Sequence, residues 1–367
     1  MDLSKLLSSI NMGVKIAQEL RNNDGKPTPD LILFPLFDRR LSTWSSYKDG
    51  IFGHIQKCRD DLPSLRNRKE FHFLSGSNRL KGYLYSVSSP KGLVLCCHGL
   101  NGMADDNFSL CIDYFVRHGY SAIALDLTAS GESQGLGISG LQQGPFDVLA
   151  LENVIQGSPE LSKLPLLLFG HSWGGYSVVA STYFYRTPVA VCELSGFSTP
   201  LDIMTSYPTD RFGSVASHSR PALEEALKRR VGDYHDLSAV EAIEKADNTD
   251  FLLIHGSEDT TVSLQSAALW RCFKDRNSSR VKTYLDLGKD HMGIWLTKNA
   301  VKANHEVLQK AKPFLKQYGK QVSRWPEEVA HSFFASIDKE KLNEFDEGLF
   351  DQIDSFCQEA IRKYEAK

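Results

Sequence analysis

The sequence predicts an α/β architecture, a mostly parallel central sheet with helices on both faces. Three observations lead there. Apolar runs of strand length alternate with helix-like segments from residue 82 to 318. Several runs are continuously apolar, as strands buried on both faces must be. One of them, LPLLLFG at 164–170, stops at a glycine and runs into GHSWGG, a serine flanked by glycines.

Taken in order, GYLYSV (82–87) alternates and predicts a strand. GLVLCCHG (92–99) is a continuous apolar run and predicts a fully buried one. DNFSLCIDYFVRHGY (106–120) has helical periodicity and ends at Gly119. SAIALDL (121–127), a helix-like stretch (146–157), LPLLLFG, a helix after Gly174 and VAVCEL (189–194) follow. DFLLIHG (250–256), the helix-like SLQSAALWRCFKD (263–275), VKTYLDL (281–287) and a last core helix at 297–318 complete the alternation. The rhythm breaks at about 197–247. There PALEEALKRRV, with Pro221 at a helix-opening position, and LSAVEAIEKA (237–246) predict a helical cap inserted over one end of the sheet. The expected division is a mixed helical extension at 1–70, a core at 71–318 carrying the cap, and a helical extension at 319–367. In the last of these Leu342, Phe345, Leu349, Ile353, Phe356 and Ile361 recur at helical spacing. This stripe reads as packing surface, against the body or against a second subunit, rather than as a cofactor box.

A net charge of −3 over 367 residues gives no electrostatic case for nucleic acid or an anionic membrane. The apolar residues of the first 23 positions (Leu3, Leu6, Leu7, Ile10, Val14, Ala17, Leu20) are spaced like one helix face, not as the continuous core of a secretory signal. No run approaches the roughly 18 apolar residues of a membrane span. Seven scattered cysteines, mostly in hydrophobic contexts, suggest reduced core thiols and a cytoplasmic protein. No cofactor or metal is expected. Cys96, Cys97 and His98 are adjacent on a strand, so neighbours point to opposite faces and do not share one ion. The glycine-rich DLTASGESQGLG (126–137) has neither phosphate-binding spacing and reads as a loop at the catalytic edge of the sheet.

Gly170-His171-Ser172-Trp173-Gly174 fits G-x-S-x-G between a buried strand and a helix, the setting of a nucleophile elbow. The tight turn strains the serine backbone, so its neighbours must be small, which Gly170, Gly174 and Gly175 satisfy. A serine at its ordinary pKa needs a base, and the base needs an orienting acid. Both are expected at later strand ends, in the order Ser, Asp, His. Asp259 lies just past the strand at 250–256 and His291 just past the next. Each has an ordinary alternative use: Asp259 as a turn or N-cap residue, His291 as a surface loop residue. Glu258 and Asp290 are adjacent alternatives for the acid. Acyl transfer also needs donors for a tetrahedral oxyanion. The N–H of Trp173 directly follows the serine, and the loop after the strand that ends CCHGLNG (96–102) offers the N–H of Leu100.

These residues resemble the α/β-hydrolase superfamily across roughly 70–318. The matching pieces are NRLKGYLY (78–85), LCCHGLNG (95–102), GYSAIALDLTASGESQG (119–135), GHSWGG, LLIHGSEDTTV and DHMG. In many members the acid motif reads H-G-x-x-D-x-x-V, and His255, Gly256, Asp259 and Val262 fill those positions, which decides for Asp259 over Glu258. The resemblance implies Ser172 as nucleophile, Asp259 as acid, His291 as base and an oxyanion hole from Leu100 and Trp173. It looks nearest to the bacterial esterase and serine-peptidase-like branch; SGFSTPLD (195–202) and 237–256 are similar to segments flanking the cap there. The loop after Asp126 departs from D-x-R-G-x-G, with Thr128-Ala129-Ser130-Gly131. The extensions lie outside the family core.

The expected function is hydrolysis of a carboxylic ester of a small substrate through an acyl-enzyme on Ser172. A peptidase or amidase and an acyl thioesterase are alternatives with the same three residues. A catalytically silent binding protein on the same fold is the alternative from another class. Met204, Tyr207 and Phe212 of the cap are candidates for the acyl pocket. The expected partner is a small ester or amide, with the terminal extensions as surfaces for self-association.

Overall fold

A computed structural model describes residues 37–184, 188–212 and 220–366, with the side chains of 207–212 outside that description. The helical face expected over the first 23 positions therefore lies outside the described residues, as do the side chains of Tyr207 and Phe212.

Eight strands form one sheet: β1 (Lys69–Ser75), β2 (Asn78–Tyr85), β3 (Leu93–Cys97), β4 (Ser121–Asp126), β5 (Leu166–His171), β6 (Ala190–Leu194), β7 (Asp250–Gly256) and β8 (Val281–Asp286). Their order is β1-β2-β4-β3-β5-β6-β7-β8; β1 and β2 pair antiparallel and β3 to β8 are parallel. β1 is the strand that sequence patterning misses. It is an edge strand with only Phe73 and Ser75 buried, so no apolar run marks it. Gly76, at φ +57°, supplies the left-handed position of the two-residue turn into β2.

The helices are α1 (Trp44–Lys48), α2 (Ile51–Ile55), α3 (Ser109–Arg117), α4 (Gln143–Gln156), α5 (Trp173–Ser181), α6 (Pro200–Phe212), α7 (Arg220–Val231), α8 (Ala239–Lys245), α9 (Trp270–Phe273), α10 (Lys298–Tyr318), α11 (Glu327–Ala335), α12 (Lys339–Leu342) and α13 (Glu347–Glu365). The helix expected over 263–275 shrinks to α9. The Ser263 carbonyl gathers the N–H groups of Ala267 and Ala268, and Ala268 bridges to Phe197 while Leu269 N–H reaches the Gly196 carbonyl. Tertiary pairing outcompetes helical propensity there.

Alternate residues of each central strand serve two cores. Leu95, Cys97, Leu166, Leu168, Phe251 and Leu253 face one side, where α4, α5 and the cap helices α6 to α8 close over them. Cys96, Leu167, Phe169, Cys192 and Ile254 face the other, against α3, the first turn of α10 and α13. Cys96 and Cys97 thus point into opposite cores. Six of the seven cysteines are buried, all are free, and Cys192 Sγ lies 3.8 Å from Cys357 Sγ without a disulfide.

The stretch after 318 does two different things. Leu342, with Phe333 and Phe334 of α11, joins Ile51 and Ile55 of α2 around the outer length of α10. In contrast α13 lies on the sheet itself, burying Leu349, Phe350, Ile353, Phe356, Cys357, Ala360 and Ile361. The apolar stripe is therefore spent on the body of this chain. Among the described residues no helix is long and apolar enough to cross a membrane.

Candidate active site

β5 delivers Ser172 into a turn that only small neighbours permit. Ser172 has φ 56° and ψ −119°, a costly conformation for a residue with a side chain. It is held from both sides: its N–H donates to the Leu194 carbonyl at 2.8 Å, and its carbonyl accepts from Tyr176 N–H at 2.9 Å to start α5. A Cβ on Gly174 would collide with the Cys97 carbonyl and sit 2.6 Å from that of His98; one on Gly170 would lie 2.5 Å from the Gly174 backbone. These contacts press α5 against the end of β3, which sets residues 98–100 beside the serine. A Cβ on Gly99 would be 3.3 Å from Ser172 Cβ.

Two later loops supply the partners. Ser172 Oγ lies 2.8 Å from His291 Nε2, and His291 Nδ1 lies 2.7 Å from Asp259 Oδ2. The carboxylate requires a hydrogen on Nδ1, which leaves Nε2 as the acceptor for the serine hydroxyl. The two loops are stitched by Glu258 N–H on the Lys289 carbonyl (2.9 Å) and Ser257 N–H on that of Asp286 (2.9 Å). Asp259 Oδ1 accepts from Thr261 and Val262 N–H, both at 2.8 Å, so the residue serves its turn and orients the imidazole at once. The alternative acids are elsewhere: Glu258 is exposed, and Asp290 accepts from Gly293 N–H while its other oxygen faces His305 Nε2 at 2.6 Å.

Burial alone pushes Asp259 up, but His291 and His255 outweigh it and hold the carboxyl below the usual carboxylate range. His255, which the sequence places only as the first position of the acid motif, is one of three histidines to which sequence reasoning assigns no role in the site. Its Nε2 faces the Val262 carbonyl (2.9 Å) and Asp259 Oδ2 (3.3 Å), two acceptors that fix the hydrogen there. Behind it Glu193 is fully buried and pushed up to about 7 by that burial; among the described residues its Oε2 and His255 Nδ1 are both without a hydrogen-bond partner. His171, the residue before the serine, donates from Nε2 to the His291 carbonyl at 2.8 Å and meets Trp295 edge-on at 4.8 Å. Burial, with His291 close by, pushes His171 down to about 3, so it stays neutral. His98, pushed down to about 4 by burial, donates from Nδ1 to the Gly99 carbonyl (2.8 Å) and accepts Leu127 N–H on Nε2 (3.1 Å). The only sequence signal for His171 and His98 was position, next to the serine and next to Gly99.

The N–H groups of Leu100 and Trp173 donate to no backbone carbonyl among the described residues. The Trp173 indole is buried and donates to the Leu141 carbonyl at 2.7 Å. Met204, on α6, is buried in the cluster that includes the cap.

Residues 88–218 match the model of a family described as serine aminopeptidase, S33. The match takes in Leu100, Ser172 and Trp173 and stops short of Asp259 and His291. A solved esterase from Pyrococcus furiosus superposes with a TM-score of 0.50 at 16% identity, over 68% of this chain and 91% of its own. The chain has the α/β-hydrolase fold. An α/β-hydrolase from a Penicillium species matches with a TM-score of 0.47 at 16% identity, over 68% of this chain and 98% of its own. Pyrococcus horikoshii acylaminoacyl peptidase matches with a TM-score of 0.48 at 18% identity, over 75% and 44%. No curated protein matches this chain.

Proposed function

We propose that this chain, with its α/β-hydrolase fold, is a serine esterase acting on a carboxylic ester of a small substrate. The observation that carries the reading is the hydrogen-bonded chain from Ser172 Oγ through His291 to Asp259, at a strained, partly exposed turn. Ser172 Oγ attacks the ester carbonyl carbon as its proton passes to His291 Nε2. The carbonyl electron pair moves to oxygen, and the N–H groups of Leu100 and Trp173 accommodate that charge. Collapse of the tetrahedral intermediate breaks the bond to the alcohol oxygen, which takes the proton from His291 and leaves an acyl-serine. Water, deprotonated by His291, then releases the acid and returns the proton to Ser172 Oγ. Asp259, kept ionised by its two histidines, holds the Nδ1–H tautomer throughout. An ester asks less of this machinery than an amide, because an alcohol leaves more readily than an amine. Met204, Tyr207 and Phe212 are proposed to contact the acyl group.

The match to a serine aminopeptidase family favours an amidase or peptidase as the second reading. Purified protein is to be assayed on short p-nitrophenyl esters and on aminoacyl p-nitroanilides. Hydrolysis of the esters, lost in Ser172→Ala with the melting temperature kept, is expected. Turnover confined to the anilides would favour the second reading, and undiminished turnover in Ser172→Ala would overturn both.

A further inference from the structure

Residues 39–42 precede every strand of the sheet and belong to the stretch that sequence patterning sets aside as an extension. Each of the four reaches a loop at the C-terminal edge of the sheet. Arg39 Nη2 donates to Asn101 Oδ1 at 2.8 Å. Arg40 Nη1 donates to the carbonyls of Ser133 (2.8 Å) and Gly135 (3.3 Å), and its Nη2 to that of Gly131. Leu41 N–H donates to the Ala129 carbonyl at 2.8 Å while its side chain is buried in the main core. Ser42 Oγ donates to the Gly102 carbonyl at 2.8 Å and accepts Gly131 N–H at 3.3 Å, so one hydroxyl ties the loop after β3 to the loop after β4.

The loops held in this way are strained. Asn101 has φ +64° and Ala129 φ +63°, each in the left-handed region that residues with side chains seldom occupy. Such conformations cost about 1–3 kcal/mol and persist only when their surroundings impose them. Residues 39–42 are among those surroundings at both points, and Asn101 directly follows Leu100. The far side of the turn is fixed by Gly102 N–H and His98 Nδ1, which both donate to the Gly99 carbonyl, at 3.0 and 2.8 Å. The Leu100 N–H belongs to the same peptide unit as that carbonyl, so it is aimed by a turn gripped at both ends.

We propose that residues 39–42 are a brace for the active site, with Ser42 as a positioning residue that holds the Leu100 N–H where a developing oxyanion forms and Arg40 as the anchor of the loop after β4 to which Ser42 ties it. The inference rests on the reading of Leu100 as an oxyanion donor, and its bracing component stands on geometry alone. It gives the N-terminal stretch a role in the reaction that the family core does not supply.

The test compares full-length protein with Ser42→Ala, Arg40→Ala and the hydroxyl-retaining Ser42→Thr. Hydrogen–deuterium exchange is expected to quicken at 99–102 and 128–135 in Ser42→Ala, to quicken at 128–135 in Arg40→Ala, and to return toward the native rate in Ser42→Thr. On p-nitrophenyl butyrate kcat is expected to fall about tenfold with KM held within about twofold, a fraction of the 100- to 1000-fold cost of deleting an oxyanion donor. Affinity for a trifluoromethyl ketone, which forms the tetrahedral adduct on serine, is expected to fall in parallel with kcat. Unchanged exchange in both peptides, or a lowered melting temperature with kcat and ketone affinity intact, would overturn the brace. Absence of Ser172-dependent turnover in the native protein would overturn the esterase reading instead, and the exchange result would still decide whether residues 39–42 hold the loops.

Discussion

At the scale of single residues, the site depends on where hydrogens sit. Asp259 faces the Nδ1–H of His291, so Asp259→Asn turns an acceptor into a group that can present N–H to the same atom and select the wrong tautomer. The fold should survive, because the amide oxygen can still take the N–H groups of Thr261 and Val262. Ester kcat is expected to fall by about three to four orders of magnitude, with the melting temperature little changed. Glu193 yields a pH prediction. Burial raises it to about 7 from an ordinary 4.5, with His255 and Asp259 as its charged neighbours, so the native state holds a proton that the unfolded chain releases. Stability contributed by the neutral form is complete below the ordinary value and declines as pH rises toward 7. Thermal melts from pH 4.5 to 8 should show that decline in the native protein and a flatter profile in Glu193→Gln. The amide stays neutral and can still accept from Gly196 N–H.

At the scale of elements, the elbow is an agreement between β3, β5 and α5. Gly174 lies where α5 touches the backbone of Cys97 and His98, so a methyl there cannot be relieved by moving a side chain. Gly174→Ala is expected to lower the urea unfolding free energy by about 1–3 kcal/mol and to abolish labelling of Ser172 by a fluorophosphonate. Legibility also divides by element. The central strands are readable because burial on both faces makes each a continuous apolar run. β1 escapes because an exposed edge strand needs no such run, and the helix expected at 263–275 fails because pairing with 196–198 claims its backbone. Ser172, Asp259 and His291 are legible because each follows a recognisable strand in a fixed order. His171 and His255 are not, since their partners, the His291 carbonyl and Asp259, are brought close only by the packed loops.

At the scale of the whole molecule, residues 37–70 and α13 are part of the folded body. α13 buries seven apolar or thiol side chains against the sheet, and at about 1.5–3 kcal/mol for each large one their sum rivals the 5–15 kcal/mol that holds a typical domain together. A chain ending at residue 346 is expected to be insoluble or to lack a cooperative melt, whereas one ending at 365 should melt like the full protein. The sequence by itself determined the alternation of strands and helices, the glycines around Ser172, and the positions of Ser172, Asp259 and His291, each after a strand, because local patterning and backbone sterics act over a few residues. Only the tertiary structure decided which surface the C-terminal stripe covers, which second histidine grips Asp259, and that residues 39–42 clasp the loops beside the serine. Those contacts join residues far apart in the chain, and no local pattern encodes which distant surface a given face will meet.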